Sequence, residues 1–292
     1  MARTRTWRRT WRRTWRRRSR RRWRKSWTPI AALFGLALAG AASGGGDGGV
    51  LGFERIVDLS HAYDGDTIFW PTEEGFVLER GPAGITEGGY WYAANRFRSA
   101  EHGGTHLDAP IHFGEGRFAV EEIPLERLVG PAVRVDVREA CAADRDHRVS
   151  VADLAAFERE HGRIPDGAIV LLSTGFEAFW PDRVRTLGTA ARGAAAVADL
   201  HFPGLHADAA RWLVEQRRIR AVGLDTPSID HGPSQRFEAH RVLAAANVPA
   251  FENLARLGEL PARGFAVVAL PMKIRGGTGA PLRAVALLPA AR

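Results

Sequence analysis

EHGGTHLDAPIHF, Glu101 to Phe113, is the densest run of potential metal ligands in the chain. It places His102, His106, Asp108 and His112 at even-numbered offsets, and holds three of the 10 histidines of the sequence within eleven positions. A flat strand would put all four on one face. At ~3.3 Å per residue, however, it would separate His102 from Asp108 by ~20 Å. Side chains so far apart cannot share an ion whose ligand bonds are ~2 Å. Convergence therefore requires a bend, and Gly103-Gly104 supplies the permissive backbone. Pro110 argues against a helix through the same stretch. Imidazole and carboxylate without thiolate suit zinc or manganese better than a closed structural zinc site. A surface loop that happens to hold three histidines would satisfy the same composition.

Outward from this run, the chain alternates between strands and helices. Apolar, β-branched stretches at Arg55–Leu59, Ala132–Val137, Ala168–Leu172, Ala221–Leu224 and Phe265–Leu270 predict strands. Helical spacing covers Val151–Gly162, His206–Arg218 and His240–Asn247, the first stopped by Gly162 and the last by Asn247 and Pro249. Few helices among many strands predict a layered α/β or α+β domain over residues 53–292, with no break in composition to divide it. Cys141, the single cysteine, excludes an intramolecular disulfide framework and any CxxC site, and reads as inert filling.

The first 52 residues have another texture. Residues 6–17 read TWRR three times, and residues 1–27 carry 14 of the 41 Lys and Arg of the 292-residue chain. The formal net charge of +8 belongs to this tail, because the remainder holds 27 basic against 33 acidic side chains, a net of −6. A nucleic-acid-binding folded domain is thereby excluded. Ile30–Ala42 is apolar but short of the ~20 residues a membrane span needs. Basic run, apolar stretch and the Ala37-Leu38-Ala39 choice together describe an export signal, so a periplasmic or secreted location is expected. Within it SRRRWRK, Ser19 to Lys25, resembles the twin-arginine signal, although Arg24 departs from the pattern. Three alternatives stand beside export: a Trp/Arg tail for single-stranded nucleic acid, a membrane-surface anchor, or a misplaced start on a cytoplasmic protein. SGGGDGGVLG, residues 43–52, reads as a flexible linker, since no helix opening on Lys-Ser/Thr follows it.

HGGTHLDAPIHF matches the HxGTHxDxPxH pattern of the cyclase family at every fixed position. That family includes bacterial kynurenine formamidases and isatin hydrolases. The resemblance continues through DLSHAY (Asp58–Tyr63), LLSTGF (Leu171–Phe176), PGLHADAARWL (Pro203–Leu213) and GLDTPSID (Gly223–Asp230). HRVLAAANVPAFENLARL (His240–Leu257) and PMKIRGGTGAPLRAVAL (Pro271–Leu287) follow in the family's order. It implies a β-rich α/β domain, a homo-oligomer, and His102, His106 and Asp108 as metal ligands. It further implies that His240 and Glu252 complete a two-metal site bridged by Asp108 and Glu252, and that His112 moves the proton. Spacing alone nominates neither His240 nor Glu252, which read as a solvent-exposed helix start and a cap or surface residue. Trp70 resembles the aromatic that lines the formamidase pocket, and could equally pack in the core.

The remaining polar residues read as structural. His61, His201, His206 and His231 fall off the ligand pattern and are expected at the surface or behind the site, with His231 a reserve proton donor. Asp225 and Asp230 are explained by turn hydrogen bonds. Gly276, Gly277 and Gly279 lack the helix a phosphate cradle needs, and no GxSxG elbow exists. The resulting expectation is a hydrolase using one or two divalent ions to open an amide, formamide or lactam C–N bond. A non-catalytic exported binding protein on the same scaffold is the alternative.

Overall fold

The computed structural model describes residues 52–290. The Arg/Trp-rich repeat, the export-signal segment and nearly all of the linker expected from the sequence lie outside the described residues. Eight strands build the main sheet: β1 (Arg55–Asp58), β2 (His106–Asp108), β3 (Val129–Asp136), β4 (Ile169–Ser173), β5 (Ala221–Leu224), β6 (Ala250–Glu252), β7 (Phe265–Pro271) and β8 (Gly279–Leu288). Their order is β1-β8-β7-β3-β4-β5-β6-β2, and β2 pairs again with β8 through Gly279↔Asp108 and Pro281↔His106. Seven strands therefore close on themselves, while β1 pairs with the later part of β8. The fold is mixed α/β, as expected, and its sheet is a barrel.

Half of that barrel is parallel. β3, β4, β5 and β6 run side by side in one direction, and each crossover between them carries a helix: α1 (Val151–His161), α2 (Ala207–Arg217) and α3 (Glu238–Ala245). Parallel neighbours cannot be joined by a hairpin, so the helices are the price of the direction. The arrangement buries these strands on both faces, which is why Ile169–Leu172 is continuously apolar and Ile169–Ser173 continuously buried. Ile169 and Leu171 join Leu107, Phe251 and Val267 in one core, whereas Val170 and Leu172 pack with Leu154, Leu213 and Leu243 of the helices in another. Ser150 caps α1 with Asp153 in a reciprocal box, and Gly162 ends it at φ 82°.

The antiparallel pair β6–β2 sets up the site. Glu252 lies opposite His106 and Ala250 opposite Asp108. Because the pleat alternates, Leu107 and Phe251 enter the core shared with β7 and β8, and His106, Asp108 and Glu252 project from the other face. There α3 packs, with Leu243 against Ala250 in the helix-side core. The helix begins at Glu238, two residues earlier than its spacing predicts, so His240 falls within its first turn.

Candidate metal centre

The bend demanded by the ligand spacing is present. Gly104 adopts φ +58°, and a Cβ there would lie 2.6 Å from the Tyr63 ring; one on Gly103 would lie 2.1 Å from Phe69. Both glycines are thus required by sterics as well as by conformation. Only His106–Asp108 is strand, and Pro110 opens a single 3₁₀ turn, Pro110–His112, with no continuing helix. Proline is tolerated at a first helical position because its missing N–H would be unpaired there in any case. The turn brings the His112 ring onto His102 in a stack 3.8 Å between centroids.

Two triads of ligand atoms result, His102/His106/Asp108 and Asp108/His240/Glu252, with the atoms of each within 4.8 Å of one another. Asp108 belongs to both. Its Oδ1 is 2.7 Å from His102 Nδ1 and 3.2 Å from His106 Nε2, and its Oδ2 is 3.0 Å from His240 Nε2. Glu252 spans the same two rings, 3.4 Å from His106 Nε2 and 3.3 Å from His240 Nε2. His240 and Glu252 are buried, at 6% and 3% exposure, which corrects the surface reading their sequence context invites.

The donor set fits a divalent cation on electrostatic grounds. His106 donates its Nδ1 proton to Gly104 O at 3.0 Å, and His240 donates its own to Asp230 Oδ2 at 2.7 Å. Each neutral ring held this way aims the Nε2 lone pair at two carboxylate oxygens. Such a contact is favourable only with a cation between them, either a proton or a metal ion. Burial works against the charged rings, yet the carboxylates outweigh it, lifting His106 to about 8 and His240 well above the ordinary histidine value. Burial likewise opposes ionisation of Asp108, but His102, His106 and His240 hold its carboxyl well below the usual range. Glu252 is pushed up by burial and by the Asp108 charge. A metal ion would satisfy all of these groups at once, without any of the protons.

The Cyclase family model matches residues 57–231. This chain belongs to the cyclase family. It is 32% identical to the isatin hydrolase of Roseibium aggregatum over 211 residues, 70% of this chain and 78% of that one. It is also 30% identical to the kynurenine formamidase of Salinibacter ruber over 230 residues, 79% and 96% of the respective chains. Among solved structures, isatin hydrolase A from Labrenzia aggregata bound to benzyl benzoate superposes with a TM-score of 0.72 at 34% identity, covering 80% of this chain and 94% of that one.

In this cyclase-family chain the ligand cluster forms the floor of a cavity of about 460 Å³. Ile68, Phe69, Trp70, Phe113 and Phe237 supply its apolar wall. Trp70 faces the cavity and also packs edge-on against Phe202 at 6.5 Å. His112 also lines it, but burial first and then the neighbouring imidazoles push its pKa down to about 4.

Several sequence readings change here. Asp230 is a buried support rather than a turn residue: its carboxylate accepts from the backbone of Ala239 and His240 and from the His240 ring. Asp225 accepts from Thr174, Gly175 and Glu177, some fifty residues away in sequence, and so ties two segments together. His61 is stacked on Trp180 at 4.1 Å, and burial lowers it to about 4. His206 caps α2 and His201 pairs with Asp146 near the surface, as structural readings expect. His231 does not line the cavity, which removes it as a reserve proton donor. Cys141 is buried, and its thiol is pushed up to about 12, in keeping with inert filling. Asn253 escaped sequence reading altogether; it donates to Gly104 O from a left-handed backbone at φ 51°. An Asn directly after a ligand carboxylate was the only available signal.

Proposed function

We propose that this chain is a metal-dependent hydrolase that opens the C–N bond of an aryl formamide or a lactam. The observation that carries the reading is the pair of triads sharing Asp108 on the floor of an apolar cavity. His102, His106, Asp108, His240 and Glu252 would hold one or two ions, zinc or manganese by their nitrogen and oxygen donors. A divalent ion there supplies Lewis acidity to the amide carbonyl and lowers the pKa of water. Trp70, Phe113 and Phe237 receive the aryl face of the substrate and keep bulk water away. His112, neutral at pH 7 because of its lowered pKa, takes the proton of the attacking water. The imidazolium so formed is a strong acid in this setting, and gives the proton to the departing nitrogen.

A panel of N-formyl arylamines and lactams, assayed with metal content measured alongside, tests the reading. Turnover that vanishes on chelation and returns with zinc or manganese is the expected result. Undiminished turnover in metal-free protein overturns it, and a full metal site without turnover on any substrate favours a binding protein.

The same reading includes a homo-oligomer and an exported chain. The hairpin segments Ala83–Ile85 and Trp91–Ala93 leave Ile85, Tyr90, Trp91 and Tyr92 exposed, apolar area that a second subunit would cover. For export, the support is the basic run and the Ala-rich apolar stretch. Mass spectrometry on protein from its native host should find an N-terminus near Gly40 to Ser43, and an intact Arg-rich tail on cytosolic protein would refute it. No helix among the described residues is long and apolar enough to cross a membrane.

A further inference from the structure

The Gly276-Gly277-Thr278-Gly279 segment, which the sequence shows to be no phosphate cradle, packs directly on the edge of the metal centre. A Cβ on Gly279 would lie 2.5 Å from His102 Cε1, and one on Gly277 would lie 3.2 Å from Glu101 Oε1. The segment is pinned through its backbone: Gly277 O accepts from Val120 N, and Thr278 O accepts from Ala109 N just after the ligand strand. Thr278 is held between two partners. Its hydroxyl donates to Glu101 Oε2 at 2.6 Å, its amide donates to the same oxygen at 2.9 Å, and the hydroxyl oxygen lies 2.9 Å from His102 Nε2.

The direction of these bonds fixes a tautomer. A hydroxyl has one proton, and a carboxylate can only accept, so the Thr278 proton is committed to Glu101. Towards His102 the hydroxyl oxygen can then only accept, and Nε2 must carry the proton. The lone pair of a neutral His102 is therefore on Nδ1, the atom 2.7 Å from Asp108 Oδ1. His106 and His240 are held the opposite way, each by its Nδ1, so that Nε2 faces the carboxylates.

We propose that Thr278, oriented by Glu101, is a positioning residue that makes His102 a metal ligand through Nδ1, while His106 and His240 bind through Nε2. The proposal rests on the metal-centre reading above, and it accounts for the two glycines that flank Thr278. A side chain at Gly279 would displace the ring that Thr278 holds, and one at Gly277 would crowd the carboxylate that orients it.

Zinc affinity measured by competition with a chelator, together with nitrogen-15 NMR of zinc-loaded protein, tests it. Thr278→Val keeps the shape of the side chain but removes the acceptor, and should weaken zinc binding about 10–100-fold, the usual worth of a partner that orients a metal-bound histidine. Thr278→Ser should recover most of that loss. In the wild type, the spectrum should show His102 protonated on Nε2 and zinc-bonded at Nδ1, with the pattern reversed for His106 and His240. Wild-type affinity in Thr278→Val, or an Nε2-bonded His102, overturns the proposal even if the variant folds poorly, because the spectrum is read on the native chain. A wild type that holds neither zinc nor manganese would instead overturn the metal-centre reading itself.

Discussion

The two ends of the ligand cluster are held by different means. His240 sits in the first turn of α3, 7% exposed at its side chain, with its ring and its backbone N–H both bonded to the Asp230 carboxylate. His102 sits on a bend, 22% exposed, with its ring bonded to the neutral hydroxyl of Thr278. A buried carboxylate bonded to the start of a helix gives the His240 end a strongly polarised support. At the His102 end, a hydroxyl on a glycine-rich segment supports a ring that also lines the cavity and stacks on His112. Both rings line the cavity, but the more exposed one, His102, is held by the weaker, uncharged bond.

Asp108 belongs to both ends, and its removal should have the largest effect. Asp108→Ala is expected to abolish zinc binding and turnover together, as measured by elemental analysis and assay. A variant retaining one full equivalent of metal would show that the two ends are independent sites. His112 comes next. Although it stacks on His102, the role proposed for it is proton transfer, so His112→Ala should retain metal and lose about 10²–10⁴-fold in turnover. Substrates with better leaving groups should lose less. Metal loss as large as that of Asp108→Ala would make His112 a ligand of the His102 end.

Asp230→Asn probes the helical end directly. It should lower zinc affinity by about 10–100-fold, and by more than Thr278→Val does, because a buried carboxylate is replaced by a neutral amide. A smaller loss than that of Thr278→Val would reverse the ranking of the two ends. The smallest effect serves as a control outside the site. Arg217 pairs with Glu158 through two contacts of 2.6 Å, and with a backbone bond from Ile164 this holds the Glu158 carboxyl below its ordinary value. A depressed folded-state pKa contributes stability above the unfolded value, and that stability is lost as pH falls through the folded one. Glu158→Gln should therefore cost about 1–2 kcal/mol in denaturant unfolding at neutral pH, with the difference shrinking well below pH 4.5. Zinc affinity should be unchanged, and a change would mean that the site feels global stability rather than its local supports.

Much of the site was legible in the chain itself because its ligands are close in sequence. The need for a bend followed from strand rise and ligand bond length, and Gly103-Gly104 could be named as its cause. The buried strands Ile169–Ser173 and Ala221–Leu224 and the three helices were marked by apolar runs, periodicity and stop signals. β2 and β6 gave no such signal. Each is three residues long, and each presents ligands on the face where a strand normally shows apolar or solvent-facing side chains. The supports of the site were equally silent, since Thr278 is 176 residues from the ring it holds, and Asp230 reads locally as a turn residue.

By itself, then, the sequence determined the ligand run, its bend, the alternation of strand and helix, and, through the ordered motifs, the family. These depend on backbone conformation and side-chain period, which act between near neighbours. Tertiary structure alone decided that β2 pairs with both β6 and β8 to close a barrel, and that His240 and Glu252 are buried against Asp108. It also decided which partners reach the outer nitrogens of His102 and His240. A tautomer is set by the partner on the far side of the ring; Gly104 is a near neighbour of His106, but Asp230 and Thr278 are brought to His240 and His102 by the packing of separate segments.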